Sequence, residues 1–259
     1  VSARGLKFNP RNHSYHLDGK RVPGVTTLIG KGLPKPALMY WSAKTVAEWV
    51  ADHPDLADRL AAAGGRDPFI AYLKAIPWAK RDEAAVRGTD VHALAEQLVH
   101  GHEVAVPEHL RAHVDGYVTW LDEFKPEALW TERPVGNRKW QYAGTFDLIA
   151  TLMGQTWLLD VKTAKGVYGD NAIQLAAYKN AEFLHDLNGD EQPMPAIDRL
   201  GILHVTEHGT QLHPVHAGDE DAAWKDFLHI AWVANADQRI KGYIDEPLTE
   251  PTQPQGSAA

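Results

Sequence analysis

A chain of 259 residues with 44% hydrophobic and 23% charged side chains has the composition of a globular protein and enough length to bury a real core. It contains no cysteine, which excludes disulfides and thiolate-bound zinc or iron–sulfur clusters. A net charge of −8 argues against a nucleic-acid binder until its distribution is considered. Residues 1–44 carry eight basic side chains against the single acid Asp18, a net of +7, whereas residues 182–259 carry fourteen acids and four bases, a net of −10. That asymmetry fits one face for a polyanion and another that stays solvated, or charges with no partner at all. No apolar run approaches the roughly 20 residues of a membrane span, and the first residues lack a signal-peptide pattern, so a cytoplasmic location is expected.

In chain order, residues 13–29 read as a hairpin, with turn chemistry at Asp18-Gly19 and β-branched residues after it. Residues 37–52 and 55–63 have helical spacing; Gly64-Gly65 and Pro68 break it, and a short helix follows over 69–76. A helix from Asp82 to about His100 stops at Gly101, and another over 107–124 is closed by Pro126. The period then changes to two, giving strands at 129–135, 141–152 and 156–163. Residues 170–187 return to a helix, 199–206 to a strand and 219–240 to a helix, before a tail with too few apolar residues to pack. From residue 82 the order is helix, strand, strand, strand, helix, strand, with one helix added after the first: an α/β layer arrangement.

The chemistry concentrates on two of these strands. A two-residue turn at Met153-Gly154 pairs residues whose numbers sum to 307 and sets Asp147 opposite Asp160; a turn one residue later gives 309 and sets Asp147 opposite Lys162. In either case strict alternation predicts Asp147, Asp160 and Lys162 on one face, whereas a three-residue turn breaks the pattern unless a bulge restores it. Two facing carboxylates repel unless a cation or proton lies between them, and hard oxygen ligands favour Mg2+ or Mn2+. Asp-x-Lys recurs at Asp18-Gly19-Lys20, where it reads as a plain turn; what sets Asp160 and Lys162 apart is the apolar run Trp157-Leu158-Leu159 before them.

His92 lies early in the helix that precedes the sheet, in Gly88-Thr89-Asp90-Val91-His92, and can bring an imidazole to the same cation or remain a polar surface residue. Gln174 and Tyr178, four apart on the later helix, share one face. Glu132 on the first strand reads equally as a ligand or as a supporting, structural group. In the basic segment Lys20, Arg21, Lys31 and Lys35 are the candidate DNA contacts.

Together, Gly88-x-x-x-His92, Gly144-Thr145-Phe146-Asp147, Asp160-Val161-Lys162 and Gln174-x-x-x-Tyr178 resemble, over residues 82–206, the PD-(D/E)XK nuclease superfamily in its RecB-type branch. The opening SYHLDGKRVPGVTTLIG is similar to phage-encoded exonucleases of that branch. The resemblance implies an α/β fold with a central mixed sheet flanked by helices. A single nuclease domain over 1–245 would comprise an N-terminal hairpin and helical elaboration (1–81), the catalytic core (82–206) and a C-terminal helix (207–245), followed by an unpacked tail (246–259). It also implies roles. Asp147, Asp160, the Val161 carbonyl and His92 would bind the metal; Lys162 would position or activate water; and Gln174 and Tyr178 would orient the lysine or the scissile phosphate. The expected activity is a Mg2+- or Mn2+-dependent DNA exonuclease in recombination, repair or end processing, in a bacterial or phage-infected cell. The alternatives are a structure-dependent endonuclease, a catalytically silent DNA-binding module, or a hydrolase of small phosphoesters. The expected partner is DNA. No helicase phosphate loop is present, so a recombination or helicase motor would be another chain. Oligomeric state, polarity and strand preference stay open.

Overall fold

A computed structural model describes residues 5–9 and 12–245; Arg4, Arg11 and the expected tail over 246–259 lie outside the described residues. The chain opens with an antiparallel sheet of three short strands, β1 (Leu6–Asn9), β2 (Ser14–Leu17) and β3 (Lys20–Val22). Asp18 and Gly19 turn β2 into β3 with φ of 50° and 81°, the left-handed conformation that Asp-Gly accepts readily. Leu6, Tyr15, Leu17 and Val22 bury this sheet against Ala143 and Phe183. The expected hairpin ran to residue 29, but Val25–Gly32 is a helix, α1. Its buried residues Val25, Leu28, Ile29 and Gly32 have the spacing of one helical face, and that period outweighs the β-branched run.

Helices α2 (Pro36–Asp52) and α3 (Leu56–Ala62) fall close to their expected places. Helix α4 (Arg66–Val99) is a second correction: one helix of 34 residues stands where a short helix and a separate later one were expected. Gly64 and Gly65, with φ of 86° and 116°, do end α3. Pro68, however, sits in the first turn of α4, where the N–H has no helical partner and proline costs little. Pro77 is buried inside α4, and the helix runs past it without the N–H that would reach the Leu73 carbonyl. Helix α5 (Arg111–Phe124) ends at Lys125, whose φ is 46°, just before Pro126.

The main sheet follows: β4 (Glu127–Asn137), β5 (Tyr142–Leu152), β6 (Gln155–Lys162), helix α6 (Gly169–Lys179), β7 (Phe183–His185), β8 (Glu191–Pro193), β9 (Arg199–Thr206) and β10 (Gly209–Pro214). Helices α7 (Glu220–Ala234) and α8 (Ala236–Ile240) come last. The strand order is β10-β9-β6-β5-β4-β7-β8. Among the named strands of this sheet, β6 and β9 alone pair in parallel, which requires a crossover, and α6 lies on it. The helix expected over 170–187 stops at Lys179, because Asn137 on β4 donates to the Asn180 carbonyl at 2.9 Å and Phe183–His185 joins β4 as a strand.

Helices α1, α6 and α7 cover one face of the sheet, where Leu175, Ala177, Tyr178 and Phe227 pack with Phe146, Ile149, Leu158 and Leu200. Helices α4 and α5 cover the other, where Val91, Ala95, Tyr117 and Trp120 pack with Leu148, Ala150, Leu159 and Leu203. The architecture is α/β, a central mixed seven-stranded sheet flanked by helices. Among the described residues no helix is long and apolar enough to cross a membrane.

Candidate active site

Met153 and Gly154 both have positive φ, 52° and 75°, and form the two-residue turn between β5 and β6. The resulting register runs from Leu152↔Gln155 to Leu148↔Leu159, so paired numbers sum to 307. The ladder stops there. Asp147 and Asp160 come next, but the Val161 N–H donates instead to Asp147 Oδ2 at 2.6 Å, and the strands part around that carboxylate.

At the same point the side-chain alternation reverses. Leu148, Ala150 and Leu152 on β5 face α4 and α5, whereas Phe146 and Tyr142 face α1 and α6. On β4, Thr131 bonds His100 at the end of α4, while Val135 packs on the α6 side. Glu132 lies between the pairs Thr131↔Leu148 and Arg133↔Phe146, hence across from Asp147, and its φ is 49°. A non-glycine residue in the left-handed region costs conformational energy, and here it accompanies the change of face on both strands. The single face expected for Asp147 and Asp160 therefore does not hold.

Asp147 reaches toward α4. His92 Nδ1 lies 3.4 Å from Asp147 Oδ2 and 4.0 Å from Glu132 Oε1. His92, Glu132 and Asp147 each offer one ligand atom, all within 4.8 Å of one another, a group that could hold a metal ion. Asp160, expected in that set, turns to α6. It is 1% exposed, accepts from Gln174 Nε2 at 2.9 Å and is ion-paired with Lys162. Gln174 Nε2 also donates to the Tyr178 hydroxyl at 3.1 Å. The Tyr178 ring packs on β5 at Gly144, where a Cβ would stand 2.5 Å from it. Val161 takes part through the N–H that holds Asp147.

The electrostatics show too much negative charge for the space. Burial, with Asp147, Glu96 and Asp160 nearby, pushes Glu132 up to about 8. Burial and Asp147 raise Asp160 to about 6, against the pull of Lys162. Burial disfavours the Lys162 ammonium, but Asp160 and Asp147 outweigh it and hold the group above the ordinary lysine value. Tyr178 stays a neutral phenol because burial and the same two acids raise it. An imidazole and two carboxylates, one of them pushed up by burial and by neighbouring acids, are a donor set suited to a divalent cation.

A cleft of about 450 Å³ opens over this group, lined by Phe8, His13, Gly88, Thr89, His92 and Glu132. A narrow recess behind it reaches Asp147, Tyr117 and Val161. Glu96 lines both spaces and was missed in the sequence, although its place one helical turn after His92 puts the two on one face. The Tyr15 hydroxyl lies 3.0 Å from Thr145 Oγ1 and fastens the small sheet to β5 beside the cleft.

The four candidate DNA contacts do not line this cleft. Lys20 and Arg21 lie at the end of the small sheet near Asp18, which Arg138 binds at 2.8 Å, while Phe8 and His13 at the opposite end border the cleft. Lys35 pairs with Asp170 at 2.5 Å and ties α2 to the first turn of α6. Lys31 is exposed in the last turn of α1. No protein-family model matches the chain, and no curated protein matches it.

Proposed function

We propose that this protein is a metal-dependent deoxyribonuclease of the PD-(D/E)XK type that degrades DNA from an end. One observation carries the proposal: two half-sites meet where β5 and β6 part, His92, Glu132 and Asp147 on one side and Asp160, Lys162, Gln174 and Tyr178 on the other. The order α4, α5, β4, β5, β6, α6, β9 fits the superfamily core with one added helix. His92, Glu132 and Asp147 would hold Mg2+ or Mn2+, and Asp160, whose charge is felt at Glu132, completes the acid set. When bound, such an ion polarises a phosphodiester and lowers the pKa of a water molecule. Lys162, kept protonated, has donors and no lone pair, so it orients the phosphate oxygen or the attacking water and does not take the proton. Gln174 fixes Asp160 and so fixes Lys162. Recombination, repair or end processing in a bacterial or phage-infected cell is the setting this activity suits.

The test is incubation with end-labelled linear DNA and with closed circular DNA, in Mg2+, Mn2+ or chelator. Metal-dependent loss of linear DNA alone supports the exonuclease. Nicking of the circle would make the protein an endonuclease of the same chemistry. No cleavage with any metal would sink the enzyme and leave a DNA-binding module.

A further inference from the structure

We infer that a groove between α2 and α4 carries single-stranded DNA to or from the cleft; that the polyanion is DNA rests on the nuclease reading above. The groove has a volume of about 520 Å³ and is lined by Trp41 and Lys44 of α2, Lys80 and Arg87 of α4, and Lys165 just after β6. A second cleft of about 550 Å³ shares Arg87 and Lys165 with it and extends to Thr163. Thr163 follows Lys162 in the chain, and Gly88 follows Arg87 and lines the active cleft. A Cβ at Gly88 would stand 3.3 Å from Thr163 Oγ1, so the cationic track and the active cleft adjoin at that point.

Four cations in the groove face two acids, Glu48 and Glu83, in a chain whose net charge is −8. Among the described residues Lys80, Arg87 and Lys165 form no salt bridge, and Lys44 meets only Glu48, at 3.5 Å on an exposed helical turn. Cations that outnumber the acids around them favour an anion that spans them. Trp41, 40% exposed, stands among them. A protein partner would need an apolar and an acidic patch in register with Trp41 and the cations, whereas a nucleic-acid strand carries both in every nucleotide, with phosphates on Lys and Arg and a base stacked on the ring. A duplex keeps its bases stacked inside, so the ring selects a single strand.

The experiment measures anisotropy of labelled oligothymidine, and of a duplex of equal length, over a salt series with Ca2+ in place of Mg2+. The variants are Lys44→Gln/Lys80→Gln/Arg87→Gln/Lys165→Gln, Trp41→Ala, and a control, Lys20→Gln/Arg21→Gln/Lys31→Gln. The quadruple variant is expected to flatten the log–log salt slope by about 3, at about 0.7 for each phosphate of a single strand that is no longer neutralised. Trp41→Ala is expected to weaken oligothymidine binding about fivefold or more at every salt concentration, with the slope retained and duplex binding unchanged. The control keeps the wild-type slope. An unchanged slope in the quadruple variant, or equal flattening in the control, overturns the groove. Equal losses on duplex and oligothymidine in Trp41→Ala overturn the single strand. A wild-type protein that cleaves DNA while the quadruple variant binds normally sinks the groove alone. A protein that never cleaves, but whose oligothymidine binding falls in the quadruple variant, sinks the nuclease and keeps the groove.

Discussion

Glu132, half-buried, and Asp160, buried, are both acids with raised pKa values, yet they should respond oppositely to neutralisation. Glu132 has crowding acids and, among the described residues, no lysine or arginine within 4.0 Å. An acid whose folded pKa lies above its unfolded value costs stability as pH rises between the two, here from about 4.5 to about 8. Glu132→Gln should therefore raise the melting temperature of chelator-treated protein by a few degrees at pH 8 and hardly at all near pH 4.5. It should also weaken Mn2+ binding. Equal melting temperatures at pH 8 would show that the carboxylate is not under repulsion. Asp160 is bound on both sides, so Asp160→Ala strands the Lys162 ammonium and the Gln174 amide and should cost about 3 kcal/mol along with all activity, read from denaturant melts. Lys162→Ala should lose cleavage and keep Mn2+ affinity in calorimetric titration; a loss of affinity as large as that of Glu132→Gln would contradict its assignment to water or phosphate. The turn at Met153-Gly154 and the register that brings Asp147 and Asp160 to the point where β5 and β6 part were legible in the sequence; the direction each carboxylate faces was not. The standing of Glu132 was not, because it depends on a left-handed φ that nothing in a glutamate announces.

Strands and helices carry the same lesson at larger size. Period-two reasoning located β4, β5 and β6, but it assumed an unbroken alternation, and the reversal at Glu132 and Asp147 sends Asp147 toward α4 and leaves Asp160 against α6. Strands β7 and β8, three residues each, are too short to show a period, and α1 hid behind β-branched residues that suggested a strand. Proline misled in α4, where one falls in the first turn and the other is accepted inside the helix. Packing between elements gives a prediction of its own. Gly144→Ala would drive a methyl into the Tyr178 ring, 2.5 Å away, and neither the central strand nor the buried ring has room to yield. It should cost about 1–3 kcal/mol and lower kcat well beyond what that loss of stability explains, since Tyr178 and Gln174 move together. Wild-type kcat in Gly144→Ala would mean that the α6 pair does not set the position of Asp160.

Across the whole molecule, the candidate ligands join two layers: Glu132 and Asp147 belong to the sheet and His92 to the helical layer beside it. A cation bound there should clamp the layers and stabilise the fold by about 2.7 kcal/mol at a hundredfold excess over its Kd. His92→Ala should abolish most of that gain, and a metal-induced shift as large in His92→Ala as in the wild type would place the cation elsewhere. The layer order was legible because helices and strands follow one another with short joints; the proposed path of DNA was not, since the charge excess of residues 1–44 fell partly on Lys35, which Asp170 neutralises. Helix α4 presents Lys80 and Arg87 to the groove and His92 and Glu96 to the cleft along one uninterrupted rod. A factor by which a cation at His92 changed the affinity for a strand in the groove would return, by linkage, as the same factor in the strand's effect on the affinity for the cation.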